Sequence, residues 1–208
     1  MRTYLVCENP PHYLTPVDDS DIPEMVRVLN INEDIFIGTS TFDYPYPESL
    51  AVERLATVNK SRKALQLNSH FAVRTSPSGP LIGWASFFFT KDGTEVHPET
   101  GRPLKIAVLG YWISPEHTGQ GYATRSTQFM LDEFMFKEYD CDIGRAEIFS
   151  ENEASRKALL RAGMECELEG KVLFIAKFNQ DKAMSCFAKH RDDSTKSVKW
   201  QPNVKINY

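Results

Sequence analysis

The apolar positions of this chain fall into two periods, and their order sets out the elements. Tyr13-Leu14-Thr15-Pro16-Val17 reads as a short strand, followed by Ile22, Met25, Val26 and Leu29 at helical spacing, with Asp21 and Glu24 placed for a capping box. Residues 32–47 carry no clean period and hold the cluster Phe42-Asp43-Tyr44-Pro45-Tyr46-Pro47, the composition of an ordered surface loop. A second helix is expected from about Glu48 to Leu67, burying Leu50, Leu55, Val58 and Leu65. Residues 70–75 and 81–89 read as strands of an antiparallel hairpin around the turn Ser76-Pro77-Ser78-Gly79.

Beyond the polar loop 91–103, the near-continuous apolar run Ile106 to Ile113 predicts a strand covered on both faces. A helix from Gly121 to Tyr139 follows, with Tyr122, Phe129, Met130, Phe134 and Met135 at helical spacing. Then come a strand from Ile143 to Phe149 and a helix from Asn152 to Ala162 closed by Gly163. Strand, helix, strand is the crossover that makes two strands parallel, so this half predicts a parallel pair within a mixed sheet. Residues 172–178 and 183–189 supply two late strands, and the polar stretch from Arg191 onward reads as a loosely held tail. The fold class expected is α/β, a mixed antiparallel and parallel sheet of about seven strands flanked by helices.

Composition narrows the class. With 208 residues, 41% of them hydrophobic, the chain suffices for one well-filled domain spanning 1–208. Its net charge of −4, with no long run of one sign, argues against nucleic acid as a partner. No stretch reaches the ~18 apolar residues of a membrane span, and the first thirty residues show no apolar signal segment, so a cytoplasmic protein is expected. Cys7, Cys141, Cys166 and Cys186 are far apart without a C-x-x-C pair, which reads as reduced core thiols and no metal site.

The stretch most charged with chemistry runs from Gly110 through Tyr111-Trp112-Ile113-Ser114-Pro115-Glu116-His117-Thr118-Gly119-Gln120-Gly121-Tyr122-Ala123-Thr124, from a buried strand through a glycine-bearing turn into a helix. Gly119 and Gly121 let backbone N–H groups approach a phosphate, and the positive end of the following helix favours negative charge. The spacing is neither the Walker pattern, which ends in Gly-Lys-Ser/Thr, nor G-x-G-x-x-G, because Thr124 stands at the third position after Gly121. For two such glycines alone, a tight strand-to-helix connection is the readier explanation.

Leu109 to Ile113 followed by His117 to Thr124 resembles the acetyl-CoA motif of the GNAT superfamily, with Gly121 and Ala123 on its glycine positions and Thr118 where Gln or Arg is commonest. A second block, Arg145 to Met164, is similar to the strand and Asn-x-x-Ser helix of the RimJ/RimL-like branch. The resemblance implies the GNAT acyl-CoA N-acyltransferase fold and acetyl-CoA as cofactor. It further implies that backbone groups of Trp112, Ile113 and Ser114 hold the pantetheine arm, that Thr118, Gly119, Gln120, Gly121, Tyr122, Ala123 and Thr124 wrap the pyrophosphate, and that Asn152 and Ser155 face the reacting sulfur. Read from the residues alone, Asn152 is a helix N-cap, and Lys157 and Arg161, which could serve the cofactor's phosphates, are more simply read as solvated charges on an exposed helix face.

Transfer to an amine by direct attack in a ternary complex, as the resemblance implies, needs a proton acceptor for the amine and a proton donor for the leaving thiolate. Glu147 is the candidate base, although strand alternation points it at a cleft or at solvent equally. Ser155 and Tyr111 are the candidate acids, against readings as polar helix surface and core. His97 and His117 have no visible triad partner. The acceptor site is expected on the aromatic loop, at Phe42, Tyr44 and Tyr46, for a small amine, an amino sugar or a peptide N-terminus. The protein is then an N-acetyltransferase, a monomer or homodimer; the alternative is a catalytically inactive acyl-CoA-binding sensor on the same fold.

Overall fold

The computed structural model describes residues 2–90 and 95–200, without the side chains of residues 64 and 65, so the expected burial of Leu65 lies outside the described residues. The chain forms two compact units, Met1–Ser86 with Tyr111–Ser126, and Phe87–Gly110 with Thr127–Tyr208.

In the first unit β1 (Tyr4–Glu8), β2 (Pro11–Pro16), β3 (His70–Arg74) and the start of β4 (Gly83–Phe89) form an antiparallel meander, with Tyr13 opposite Arg74 and Phe71 opposite Ala85. Three helices accompany it: α1 (Ile22–Leu29), the short α2 (Asp34–Gly38) and α3 (Glu48–Leu65). Their inner faces close a core of Val17, Met25, Leu29, Leu55, Val58 and Trp84, joined by Phe42, Tyr46 and Trp112. Leu50 is partly buried against it.

The expected capping box at Asp21 and Glu24 is not made, because both carboxylates are engaged elsewhere. Asp21 gives α1 no side-chain cap; it accepts from the guanidinium of Arg74 at 2.5 Å and from the backbone of Asp18 at 3.2 Å. The capping box sits one turn earlier, between Asp18 and Asp21, and Glu24 pairs with Arg27. Arg74 is held further by Thr15 and the Gly79 carbonyl, each at 2.7 Å, so its buried charge is paired and hydrogen-bonded.

In the second unit β5 (Ile106–Ile113) runs parallel to β6 (Ile143–Phe149), with Ile106–Val108 against Ile143–Arg145, as the crossover order predicts. β8 (Gln180–His190) pairs antiparallel with both β6 and β7 (Glu165–Ile175), completing a mixed sheet. The described strands number eight rather than about seven, because β1 was not foreseen. α4 (Tyr122–Phe129) continues as a π-helix over Met130–Glu138, and α5 (Glu153–Arg161) follows β6. The late strands are longer than the apolar runs that announced them, since the start of β7 is polar and mostly exposed.

The segment expected as a tail begins at Arg191. Over its described part Arg191 bonds Asp142, Thr195 meets His190 at 2.9 Å, the Trp200 amide donates to Glu167 at 3.2 Å, and Val198 packs on Leu104, Ile106 and Ile143. Residues 201–208 lie outside the described residues. The four cysteines are free, but only Cys141 and Cys186 are buried; Cys7 is half-buried and Cys166 exposed, a correction to the expectation of four core thiols. No helix among the described residues is long and apolar enough to cross a membrane.

Two expected outcomes follow from the packing. Gly83 lies so close to β5 that a Cβ would stand 2.6 Å from the Trp112 carbonyl oxygen. Gly83→Val is therefore expected to destabilise the protein by about 1–3 kcal/mol in urea unfolding. His12 on β2 is buried, shares a 3.0 Å hydrogen bond with Ser126 Oγ, and is pushed from 6.5 down to about 3 by burial and then by Arg125. Its neutral ring thus contributes stability that is full above about pH 6.5 and is lost as the pH falls towards 3. In unfolding measured across that window, the stability difference between wild type and His12→Gln is expected to shrink with falling pH.

Candidate functional site

The first constellation lies in the first unit, where the chain leaves β5. Ser114 is buried; its N–H donates to the Ile82 carbonyl at 2.8 Å and its Oγ accepts from the Glu116 N–H at 3.4 Å. One 3-10 turn, Pro115–His117, follows, and the Thr118 hydroxyl bonds back to the Pro115 carbonyl at 3.0 Å. From α1, Arg27 reaches Glu116 at 3.1 Å.

Gly119 and Gly121 then take φ of +75° and +80°, the left-handed region that other residues adopt at a cost, and α4 starts at Tyr122. A Cβ at Gly119 would meet nothing within 4 Å, so this backbone faces open space. At Gly121 it would meet only the guanidinium of Arg125, which folds back to the Gln120 carbonyl at 3.0 Å and lies over the Tyr122 ring. The first N–H groups of a helix have no acceptor within it, and they carry the positive end of its dipole.

The other predicted residues of this turn differ in exposure. Thr118, Gly119 and Gln120 are exposed, and Ala123 and Thr124 half-buried, whereas the Tyr122 ring is buried edge-on to His12 at 5.1 Å and acts as packing. Tyr111 and Ile113 are half-buried on β5, and Trp112 is buried. Arg125 was not foreseen; a cation one turn into the helix after a Gly-x-Gly turn was the available signal.

The aromatic loop belongs to the same unit. Phe42 and Tyr46 are 6% and 2% exposed, so both are core residues, while Tyr44 is 40% exposed. Asn30 fixes the end of the loop, accepting from the Tyr46 N–H and donating to its carbonyl, each at 2.8 Å. Phe42 packs edge-on to Tyr46 and to Trp112, and the Arg54 guanidinium lies over its ring.

The second constellation lies in the second unit. Glu147 is half-buried on β6, and its carboxylate accepts from Cys186 Sγ at 3.6 Å; burial, then this carboxylate, push the thiol up to about 12. Burial likewise pushes Cys141 up to about 12, so neither of the two buried thiols is a ready nucleophile. On the same face of β6, Arg145 is buried in a bidentate pair with Glu95 at 2.7 Å. Asn152 caps α5 as its sequence position suggests, its Oδ1 accepting from the Ser155 N–H at 3.0 Å. Ser155 is half-buried, and Lys157 and Arg161 are exposed. Arg156, which the sequence reading passed over, ties α5 to Glu169 and Ser185. His97 is buried and bonded to Ser194 Oγ at 3.0 Å, a structural partner.

No curated protein sequence matches the chain. Among solved structures, a ribosomal-protein-S5-alanine acetyltransferase from Vibrio fischeri shares 20% identity over 88% of this chain and 94% of that chain, at TM-score 0.66. RimL, a ribosomal L7/L12 alpha-N-protein acetyltransferase solved with coenzyme A, shares 14% over 90% and 98%, at TM-score 0.65. The microcin C7 self-immunity acetyltransferase MccE, solved with acetyl-CoA and AMP, shares 16% over 86% and 92%, at TM-score 0.65. These likenesses establish the fold, and they include the RimL type that the two sequence blocks resemble. The family model described as acetyltransferase (GNAT) domain matches residues 13–165, a span that includes the Gly119–Gly121 turn, Glu147 and Asn152, and the chain therefore belongs to the GNAT acetyltransferase domain family of acyltransferases.

Proposed function

We propose that the protein is an N-acetyltransferase, one acetyltransferase domain in the cytoplasm, that moves an acetyl group from acetyl-CoA to a primary amine. The observation that carries this reading is the turn at Gly119 and Gly121 before α4, open to solvent at Gly119 and lined by Arg125 at Gly121, within a chain of the GNAT family. Backbone that faces open space at the positive end of a helix suits a diphosphate. Acetyl-CoA fits the residues present: Thr118 to Thr124 would hold its pyrophosphate, and Arg125 lies close enough to Gly121 to add a cation. Trp112 and Ile113 would hold the pantetheine arm through backbone groups. The Ser114 N–H is already bonded to Ile82 and its carbonyl to the His117 N–H, so the donor of the Ser114 hydroxyl is the group proposed for that task. When bound, acetyl-CoA supplies an acyl group activated as a thioester.

The residues of the chain supply the proton transfers. A primary amine is mostly protonated at pH 7, and Glu147 takes the proton, directly or through water. Tyr111 or Ser155 returns a proton to the leaving thiolate. The Ser155 N–H donates to the Asn152 cap, which fixes the residue in the first turn of α5. No covalent enzyme intermediate is needed. The acceptor amine lies against the aromatic loop of Phe42, Tyr44 and Tyr46. Solved relatives that modify ribosomal proteins favour a peptide or protein amine among the acceptors open to this chain.

Two measurements test the reading. In calorimetry the wild type is expected to bind acetyl-CoA saturably. Gly121→Asn and Gly121→Asp both tolerate a positive φ, so a further loss of about tenfold or more in Gly121→Asp relative to its neutral isostere would report charge repulsion at the pyrophosphate position. A folded wild type that binds no acetyl-CoA overturns the proposal. In thiol-release assays Glu147→Gln is expected to lower kcat by about 10²–10⁴ with acetyl-CoA affinity unchanged. If acetyl-CoA binds but no amine in a panel is acetylated, the inactive sensor becomes the reading.

A further inference from the structure

Among the buried polar atoms of the first unit that have no hydrogen-bond partner among the described residues, Tyr46 Oη, Trp112 Nε1 and Arg54 Nε belong to one cluster. They surround one ring. Phe42 stands edge-on to Tyr46 at 5.6 Å and to Trp112 at 6.2 Å, and the Arg54 guanidinium lies 4.4 Å above its centroid. Tyr46 and Trp112 are more than nine-tenths buried. Native proteins satisfy the great majority of buried polar groups, so three unsatisfied ones against a single side chain call for a cause.

Their chemistry is one-sided. The indole and the guanidinium Nε only donate, and the phenol donates as readily as it accepts. Arg54 makes one long bond, to the Thr41 carbonyl at 3.3 Å, and no carboxylate pairs with it among the described residues. After burial, the charge of Arg54 is the next cause that holds His70 down at about 4. Donors and a positive charge without an acceptor suit an anionic oxygen group and offer nothing to a simple alkylamine or an uncharged sugar.

We propose that Tyr46, Trp112 and Arg54 recognise a carboxylate or phosphate group on the acceptor, so that the substrate is an amine bearing an anionic group. This rests on the acetyltransferase reading, which places the acceptor on the same loop. The three donor atoms are covered in the free chain, so the occupant enters by displacing Phe42. Asn30 holds the loop at Tyr46, and the stretch from Phe42 to Tyr44 yields. Arg54 and Trp112 then exchange contact with the Phe42 ring for bonds to the anion.

The indole N–H signals of the three tryptophans provide the test, with Trp112 assigned through Trp112→Phe. The protein, saturated with coenzyme A, is titrated with 4-aminobutyrate, 6-aminohexanoate and phosphoethanolamine, and with their neutral counterparts 4-aminobutyramide, 6-aminohexanamide and ethanolamine. A saturable shift of the Trp112 signal is expected with at least one anionic amine and not with its neutral counterpart. The carboxylate and phosphate arms show which anion is preferred. Arg54→Gln is expected to weaken that binding at least tenfold, and Tyr46→Phe, which keeps the ring, several-fold. An unmoved Trp112 signal with every anionic amine, or equal shifts with the neutral ones, overturns the inference while coenzyme A binding still stands. Failure of coenzyme A itself to bind strikes the acetyltransferase reading instead.

Discussion

The first turn of a helix carries N–H groups that no carbonyl within the helix can satisfy, and the proposed acyl-CoA site depends on those at the start of α4. The residue before Tyr122 is Gly121, which has no side chain with which to cap them. The backbone is bent by positive φ at Gly119 and Gly121 and opens to solvent at Gly119. The surrounding structure holds the turn in place. The Ser114 N–H is tied to Ile82, Arg27 clasps Glu116, and the Tyr122 ring is locked beside a neutral His12. A rigid frame around exposed N–H groups is what binding an anion without large reorganisation requires.

Much of the fold was legible because its signals are local. The period of α1, the apolar run of β5 and the order β5, α4, β6 gave elements and a parallel pair in their right places. The cap of Asn152 followed from its position before α5. The failures are equally physical. β1 is mixed in polarity and followed by Pro10 and Pro11, so no alternation marks it, and α2 is a five-residue helix too short for a period to show. The Asp21 cap failed because a residue far along the chain, Arg74, claims the same carboxylate, a competition that no local pattern records.

The candidate site divides along the same line. Gly119 and Gly121 were readable because glycines between a strand and a helix have few uses, and the structure gives both the backbone that only glycine adopts freely. The aromatic loop was found by composition, but composition does not tell a lining residue from a core residue. Phe42 and Tyr46 proved to be packed inside and Tyr44 exposed. Arg125 and Arg54 were missed because a single cation on a helix is ordinary in sequence. Each gains meaning only from what its guanidinium lies over.

The acyl-CoA site at the start of α4 is tested most directly by amide hydrogen exchange at residues 119–124, with and without acetyl-CoA. These amides are expected to slow markedly when acetyl-CoA is added. Exchange at the turn unchanged by saturating acetyl-CoA, in a folded protein, would contradict a site there.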